Sequence, residues 1–195
     1  MRAVLSAVFG LVLAACQTTG AGEGSGFAKA QVSCDDWKAV RPAALSIIAP
    51  DNFRPGTAER RECGGGAWQE RAQFKNSDAQ IQVLADHRDG HRYPRTPSRS
   101  QFFDAVGTSP FGLDGKSSSD FRHEVRGDLS LGLIHIETPT EHGLLCGMAY
   151  RAVAPGGKGQ TTAALRFHFC TGGDTPIDKG VEVLRQFRVS ASSEA

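Results

Sequence analysis

Apolar and polar residues alternate in two consecutive segments near the middle of the chain. The apolar positions are Trp68, Ala72 and Phe74 in the first segment and Ile81, Val83 and Ala85 in the second. A repeat of two residues is typical of a strand with one side against the core and the other in water. The polar residues 76–78 separate the two segments, so the pattern predicts a β-hairpin.

Four further strands are predicted after this hairpin, over residues 121–126, 129–137, 143–153 and 161–171. The second of them has apolar residues on both sides, which is typical of a central strand that is covered on both faces. The run APGGKGQ separates the last two strands, and its proline and glycines favour a turn.

Three segments predict helices. Residues 35–49 have apolar positions that suit a helix interrupted near Pro42, and residues 100–106 suit a short helix. Near the C-terminus, Val181, Leu184 and Phe187 recur at helical spacing within residues 178–189. Residues 50–66, 86–100 and 108–120 are predicted loops. The expected fold class is therefore α+β, an antiparallel sheet of about six strands with helices near both termini packed on one face.

The first sixteen residues, MRAVLSAVFGLVLAAC, have the features of an export signal. One positive charge at Arg2 precedes an apolar stretch of thirteen residues, which is too short to span a bilayer because a spanning helix needs about 20. The ending Leu13, Ala14, Ala15, Cys16 resembles the lipobox of bacterial lipoproteins. That resemblance implies cleavage before Cys16 and acyl chains on its thiol; the alternatives are an ordinary secreted protein or a buried first helix.

The resemblance also implies a location in the bacterial cell envelope. Two or more acyl chains hold a protein stably on a membrane, and Gln17 after the cysteine favours the outer membrane over the inner one. We therefore divide the chain into a signal peptide (1–15), a lipidated cysteine with a flexible tether (16–30) and a single periplasmic α+β domain (31–195). The tether is rich in Gly, Ser and Thr, which is typical of a flexible linker.

The charge of the chain excludes one class of partner. Cleavage removes Arg2, so the 22 basic residues become 21 and balance the 21 acidic residues. A neutral chain has no overall attraction for phosphate backbones, so we expect no nucleic-acid partner.

Four cysteines remain beside Cys16, namely Cys34, Cys63, Cys146 and Cys170. An even number in an exported chain indicates disulfides, and four cysteines allow three pairings. A hairpin centred near Lys158 would place Cys146 opposite Cys170, which favours that pair and leaves Cys34 for Cys63. The spacing matches no zinc finger or redox motif, and we expect no cofactor.

One group of residues could hold a metal. His135 and Glu137 share one side of a predicted strand, and a turn at Pro139 could bring His142 back toward them. The spacing matches no known metal motif, so the alternative is a solvated hairpin end. The chain also has no G-x-S-x-G elbow, and we assign no catalytic residue from the sequence.

The predicted loop after residue 86 is the other candidate site, because it carries four arginines, namely Arg88, Arg92, Arg95 and Arg99. Guanidinium groups bind carboxylate or phosphate in two-point fashion, so an anionic envelope component is the expected ligand; the alternative is a solvated loop whose charge Asp86 and Asp89 partly neutralise. Protonation of His87 and His91 would strengthen such binding below about pH 6.5. The sequence therefore favours a membrane-anchored envelope lipoprotein with a non-enzymatic binding or scaffolding role; the alternative is a small periplasmic hydrolase or metal-dependent enzyme.

Overall fold

The computed structural model describes residues 33–88, 90–106, 116–137, 143–155, 162–172 and 177–190. In these ranges the strands are β1 (Lys38–Ala39), β2 (Ile47–Ile48), β3 (Arg54–Cys63), β4 (Ala67–Lys75), β5 (Ala79–Arg88), β6 (Arg122–Arg126), β7 (Leu129–Ile136), β8 (Leu144–Val153), β9 (Ala163–Gly172) and β10 (Arg188–Val189). The α-helices are α1 (Arg99–Val106) and α2 (Ile177–Gln186). Eight strands form one sheet in the order β1-β3-β4-β5-β9-β8-β7-β6, and β10 pairs with β2 in a second, two-stranded sheet.

The predicted fold class is wrong. The described residues are mostly β, with an eight-stranded antiparallel sheet and a small second sheet in place of a six-stranded sheet flanked by helices. The two predicted hairpin pairs, β4 with β5 and β8 with β9, are present, and so are β6 and β7. The errors lie in the first part of the domain, in the placement of the helices, and at residues 188–189, where β10 replaces the end of the predicted C-terminal helix.

No α-helix forms over residues 35–49. The residue before a proline avoids the helical region, and Arg41 is extended (φ −70°, ψ 138°) ahead of a single 3₁₀ turn at Pro42–Ala44. The pieces on either side are too short for a stable helix. They form β1 and β2 instead, and the backbone N–H of Val40 donates to the carbonyl of Ala58 (2.9 Å).

β3 occupies most of the predicted loop over residues 50–66. Its sequence, RPGTAERREC, has one buried apolar residue, Ala58, and its register shifts between Pro55 and Ala58. Such a strand has no apolar repeat to reveal it. Backbone pairing with β4 and β1 holds it in the sheet.

The helices lie on opposite faces of the large sheet, which corrects the predicted single covered face. On one face, Val181 and Leu184 of α2 join the main core with Phe187 and the small sheet. On the other face, Phe102 and Phe103 of α1 pack with Met148 and Tyr150 of β8. We call these the α2 face and the α1 face.

The predicted disulfides are confirmed. Cys146 and Cys170 are direct cross-strand partners in β8 and β9, and their Cα atoms lie 4.1 Å apart. Cys34 pairs with Cys63, with a Cα separation of 4.0 Å. The second bond fastens the start of the described chain to the end of β3.

Candidate functional site

Two of the predicted site features lie partly outside the described residues. Cys16 is outside them, so its lipidation stays a prediction. His135 and Glu137 are exposed at the end of β7, and His142 falls outside the described part of the chain. Across the residues that the structure describes, no three His, Cys, Asp or Glu side chains lie close enough to hold a metal ion.

The four arginines of the predicted loop do not form one cluster. Arg88 belongs to the end of β5, and the exposed Arg92 follows it in the connection to α1. Arg95 lines a cleft at the end of β8. Arg99 begins α1 and places its guanidinium carbon 5.5 Å from the ring centre of Phe103. The four arginines thus belong to different elements, and Arg95 is the one of them that lines this cleft.

A different set of arginines gathers on the α1 face, beside the part that α1 covers. Alternation along β3, β4, β5 and β9 points Arg61, Arg71, Arg88 and Arg166 toward this side. Two carboxylates, Glu59 and Asp86, lie among these four cations. We call this region, which has an excess of two positive charges, the arginine face.

Trp37 packs against two arginines at one end of the arginine face. The guanidinium carbons of Arg61 and Arg71 each lie 4.4 Å from the ring centre of Trp37. Burial, followed by the charge of Arg71, lowers the pKa of Arg61; an arginine nevertheless stays protonated at neutral pH. Each contact with the ring contributes about 0.5–1 kcal/mol. The ring therefore stabilises two like charges close together, and Glu59 balances one of them through Arg71 Nε at 2.5 Å.

A chain of hydrogen bonds runs from this end across the sheet. Gln69 accepts from Arg61 Nε (2.8 Å) and donates to Asp86 (2.9 Å), while Asp86 also accepts from Arg166 Nη2 at 2.6 Å. The hydroxyl of Tyr93, from the connection after β5, donates to Asp86, and burial raises the pKa of this hydroxyl. Because Arg61, Arg71 and Arg166 are each held by a neighbour, they present charged donors in fixed positions. Such an array can recognise an anion.

The opposite face contains a buried polar network that the sequence analysis missed. Glu70 is fully buried on the α2 face, where it accepts from the backbone N–H (2.9 Å) and the hydroxyl (2.7 Å) of Ser46. Arg60 donates to the same carboxylate from Nη2 at 2.6 Å. The hydroxyl of Ser46 also lies 3.2 Å from Nε2 of His87, whose ring stacks on Trp68.

This network has the residue types of a catalytic triad but not its connections. In a triad the acid orients the histidine, and the histidine accepts the proton of the serine. Here the serine donates directly to Glu70, and Arg60 balances that carboxylate. Ser46 is 1 % exposed, so a substrate has no route to its hydroxyl. The arrangement is therefore suited to holding β2 against the sheet.

His87 corrects the expected contribution of the loop histidines. It lies in β5 and is 7 % exposed on the α2 face, away from the arginine face. Burial lowers its pKa to about 4. It is consequently neutral over most of the range in which an exposed histidine gains charge. His91 lies in the connection after β5, and burial also lowers its pKa.

Comparisons with known proteins add no assignment: no family model matches the chain, and no curated protein or solved structure matches it significantly. Neither helix within the described ranges is long and apolar enough to cross a bilayer.

The sequence pattern indicates Arg88 as a site residue but does not indicate Trp37, Arg61, Arg71 or Arg166. The signal that could have found Arg61 is the alternation Glu59, Arg60, Arg61 in β3, which sends the two arginines to opposite faces. It was hidden because β3 was predicted as a loop. Arg166 lies more than one hundred residues further along the chain, and only strand pairing brings it to Asp86.

Proposed function

We propose that this protein is a lipid-anchored cell-envelope protein whose domain binds an extended anionic ligand on the arginine face, without catalysing a reaction. The observation that carries the proposal is the pair Arg61 and Arg71, both held over the ring of Trp37. Arginine forks favour a ligand that has carboxylate or phosphate groups.

The spacing of the arginines indicates the size of the ligand. Arg61 and Arg166 lie on β3 and β9, which are three strand positions apart in the sheet. Neighbouring strands are about 4.8 Å apart, so the two side chains begin roughly 14 Å from each other. A ligand that contacts both arginines lies across four strands, and an acidic glycan chain of the envelope can extend in this way and has the required charge.

The lipobox supports the location. Acyl chains on Cys16 would hold the domain at an envelope membrane, with the outer membrane favoured by Gln17, and residues 16–30 would let it reach a polymer beside that membrane. The ligand and the anchor would then act together as a link between membrane and polymer. The alternative enzyme function would need an accessible nucleophile or metal, and the Ser46 and His87 pair is too buried to act as one.

The experiment uses the mature chain carrying Cys16→Ser, so that acyl chains cannot cause the binding. Wild-type protein should co-sediment with isolated cell wall, and Arg61→Gln with Arg71→Gln should weaken that binding at least about tenfold, which corresponds to about 1.4 kcal/mol. Added salt should weaken the wild-type binding as well, because exposed charges are screened beyond about 8 Å at physiological ionic strength.

The matched control removes two exposed arginines outside the face, Arg41→Gln with Arg122→Gln. It changes the net charge by the same amount and should leave binding intact. Equal binding by both double variants would contradict the proposal, since only the overall charge would then matter. Binding to anionic vesicles but not to cell wall would contradict the choice of a glycan as ligand.

A further inference from the structure

A cleft of about 540 Å³ lies where β8 ends, next to the small sheet. Its walls include Arg95 from the connection after β5, Arg151 and the residues that follow it in β8, and Ile48 and Arg188 of the small sheet. Ligand clefts commonly have volumes between about 300 and 1,000 Å³. The cleft shares no arginine with the arginine face, so it is a separate candidate site.

One of its three arginines is fixed by the protein. Arg151 Nε donates to Asp128 at 2.6 Å, and its Nη1 donates to the backbone carbonyls of Arg185 (2.7 Å) and Phe187 (3.0 Å). Asp128 balances its charge. Arg151 therefore forms a rigid wall that carries little net charge of its own.

The other two arginines of the cleft, Arg95 and Arg188, are available to a ligand. In the ranges that the structure describes, the side chains of Arg95 and Arg188 make no hydrogen bond or ion pair, and both residues are exposed. With Arg151 and Asp128 balancing each other, the cleft has an excess of two positive charges. A phosphomonoester carries about −1.5 to −2 at pH 7 and has three acceptor oxygens, which match two guanidinium forks.

The floor of the cleft is apolar. Ile48 is 49 % exposed, although β2 belongs to the packed small sheet, and Val153 and Phe187 line the same space. A large aliphatic side chain exposed beside free cations favours a ligand that has both an apolar and an anionic part. An inorganic ion would leave this surface uncovered.

We propose that the cleft binds a phosphomonoester attached to a small apolar group, with Arg95 and Arg188 on the phosphate and Ile48 on the apolar group. This site does not depend on the arginine face. The phosphate could belong to a soluble ester or to a phospholipid headgroup, and both present the same terminal group to the two arginines.

The test is titration calorimetry with phenyl phosphate and with inorganic phosphate, using the mature chain with Cys16→Ser. Wild type should bind phenyl phosphate saturably and more tightly than inorganic phosphate. Arg95→Gln with Arg188→Gln should raise the Kd for phenyl phosphate at least tenfold, whereas Arg41→Gln with Arg122→Gln should leave it unchanged. Ile48→Ser should weaken binding of phenyl phosphate and leave that of inorganic phosphate as it is.

Two further measurements distinguish the source of the phosphate and the two proposals. If vesicles containing phosphatidic acid bind the wild type but not the variant Arg95→Gln with Arg188→Gln, the cleft recognises a lipid headgroup. If the vesicles bind both proteins equally, or bind neither, the cleft recognises soluble esters. The double variant should still co-sediment with cell wall, and its melting temperature should match wild type. Absence of saturable phenyl phosphate binding, or an unchanged Kd in a folded double variant, would overturn the inference.

Discussion

At the scale of single residues, the buried carboxylate of Glu70 joins three separate parts of the chain. It accepts from Ser46 next to β2 and from Arg60 of β3, and it lies in β4 itself. A buried carboxylate is tolerated when it is both paired and hydrogen-bonded, because its desolvation is then offset. Here the backbone N–H, the hydroxyl and the guanidinium meet both requirements.

We predict that Glu70→Ala lowers the free energy of unfolding by about 3 kcal/mol, because it leaves Arg60 and the Ser46 donors without their acceptor. Urea unfolding followed by circular dichroism measures this change. The control is Glu59→Ala, which removes a partly exposed ion pair with Arg71 and should cost less than about 1 kcal/mol. An equal loss in both variants would show that the buried network is not a main support of the fold.

The pKa of His87 makes a prediction about pH. Burial lowers this pKa from 6.5 to about 4, so protonation favours the unfolded state, in which the imidazole is solvated. The free energy of unfolding is therefore unaffected by this group above pH 6.5 and decreases as the pH falls toward 4. The decrease is on the order of 3 kcal/mol, since one pKa unit corresponds to about 1.4 kcal/mol.

The variant His87→Phe keeps a ring that can stack on Trp68 and removes the titrating group. The free energy of unfolding of wild type should fall more steeply between pH 6.5 and 4 than that of the variant, as measured by denaturant unfolding at several pH values. The pH profile of His168→Gln can be compared with these two profiles, because burial also lowers the pKa of His168, which lies on the α1 face. Parallel pH profiles for wild type and His87→Phe would contradict the assignment.

At the scale of secondary structure, the chain is predictable where strands have an apolar repeat and unpredictable where they do not. In β5, Ile81, Val83 and Ala85 are buried on one face, so the local pattern and the structure agree. In β3 the charged residues point to both faces, and the strand exists because β4 offers it backbone partners. Strands of this kind depend on pairing that no local pattern reveals.

The disulfide between β8 and β9 closes a loop with a sequence separation of 24 residues. In the chain-entropy model such a crosslink contributes about 3.5 kcal/mol by restricting the unfolded chain. We predict that Cys146→Ala with Cys170→Ala lowers the melting temperature by roughly 10 °C, given about 2–4 °C per kcal/mol for a domain of this size.

Thermal unfolding of the oxidised protein measures this difference. As a control, reducing agent should lower the melting temperature of the wild type more than that of the double variant, in which only Cys34 and Cys63 remain bonded. An unchanged melting temperature in the double variant would mean that the hairpin and its packing hold the register without the crosslink.

At the scale of the whole molecule, the large sheet separates the main core from the arginine face. The α2 face carries the main core and the Glu70 network. The α1 face is apolar where α1 packs and polar across β3, β4 and β5. The arginine face can therefore be altered without disturbing the main core, which is why the arginine variants proposed above test binding and not folding.

The proposed anchor makes a prediction at the same scale. Radiolabelled palmitate should enter the wild-type protein and not Cys16→Ser, because the lipobox cysteine is the only one that the resemblance marks for acylation. Both forms should be expressed and compared after membrane isolation. Equal labelling of the two proteins, or membrane retention of Cys16→Ser at the wild-type level, would contradict lipidation at this residue.

The amino-acid sequence by itself determined the features that depend on neighbours along the chain. The strands β4 to β9, α1, most of α2 and the pairing of Cys146 with Cys170 follow from repeats and turns within some twenty to thirty residues. Only the tertiary structure decided β1, β2, β3 and β10, the two-sided placement of the helices, the Glu70 network and the arginine face. The physical reason is that Ser46 and His87, or Asp86 and Arg166, meet only after distant strands have paired. Polar contacts between distant segments leave no repeat in the sequence.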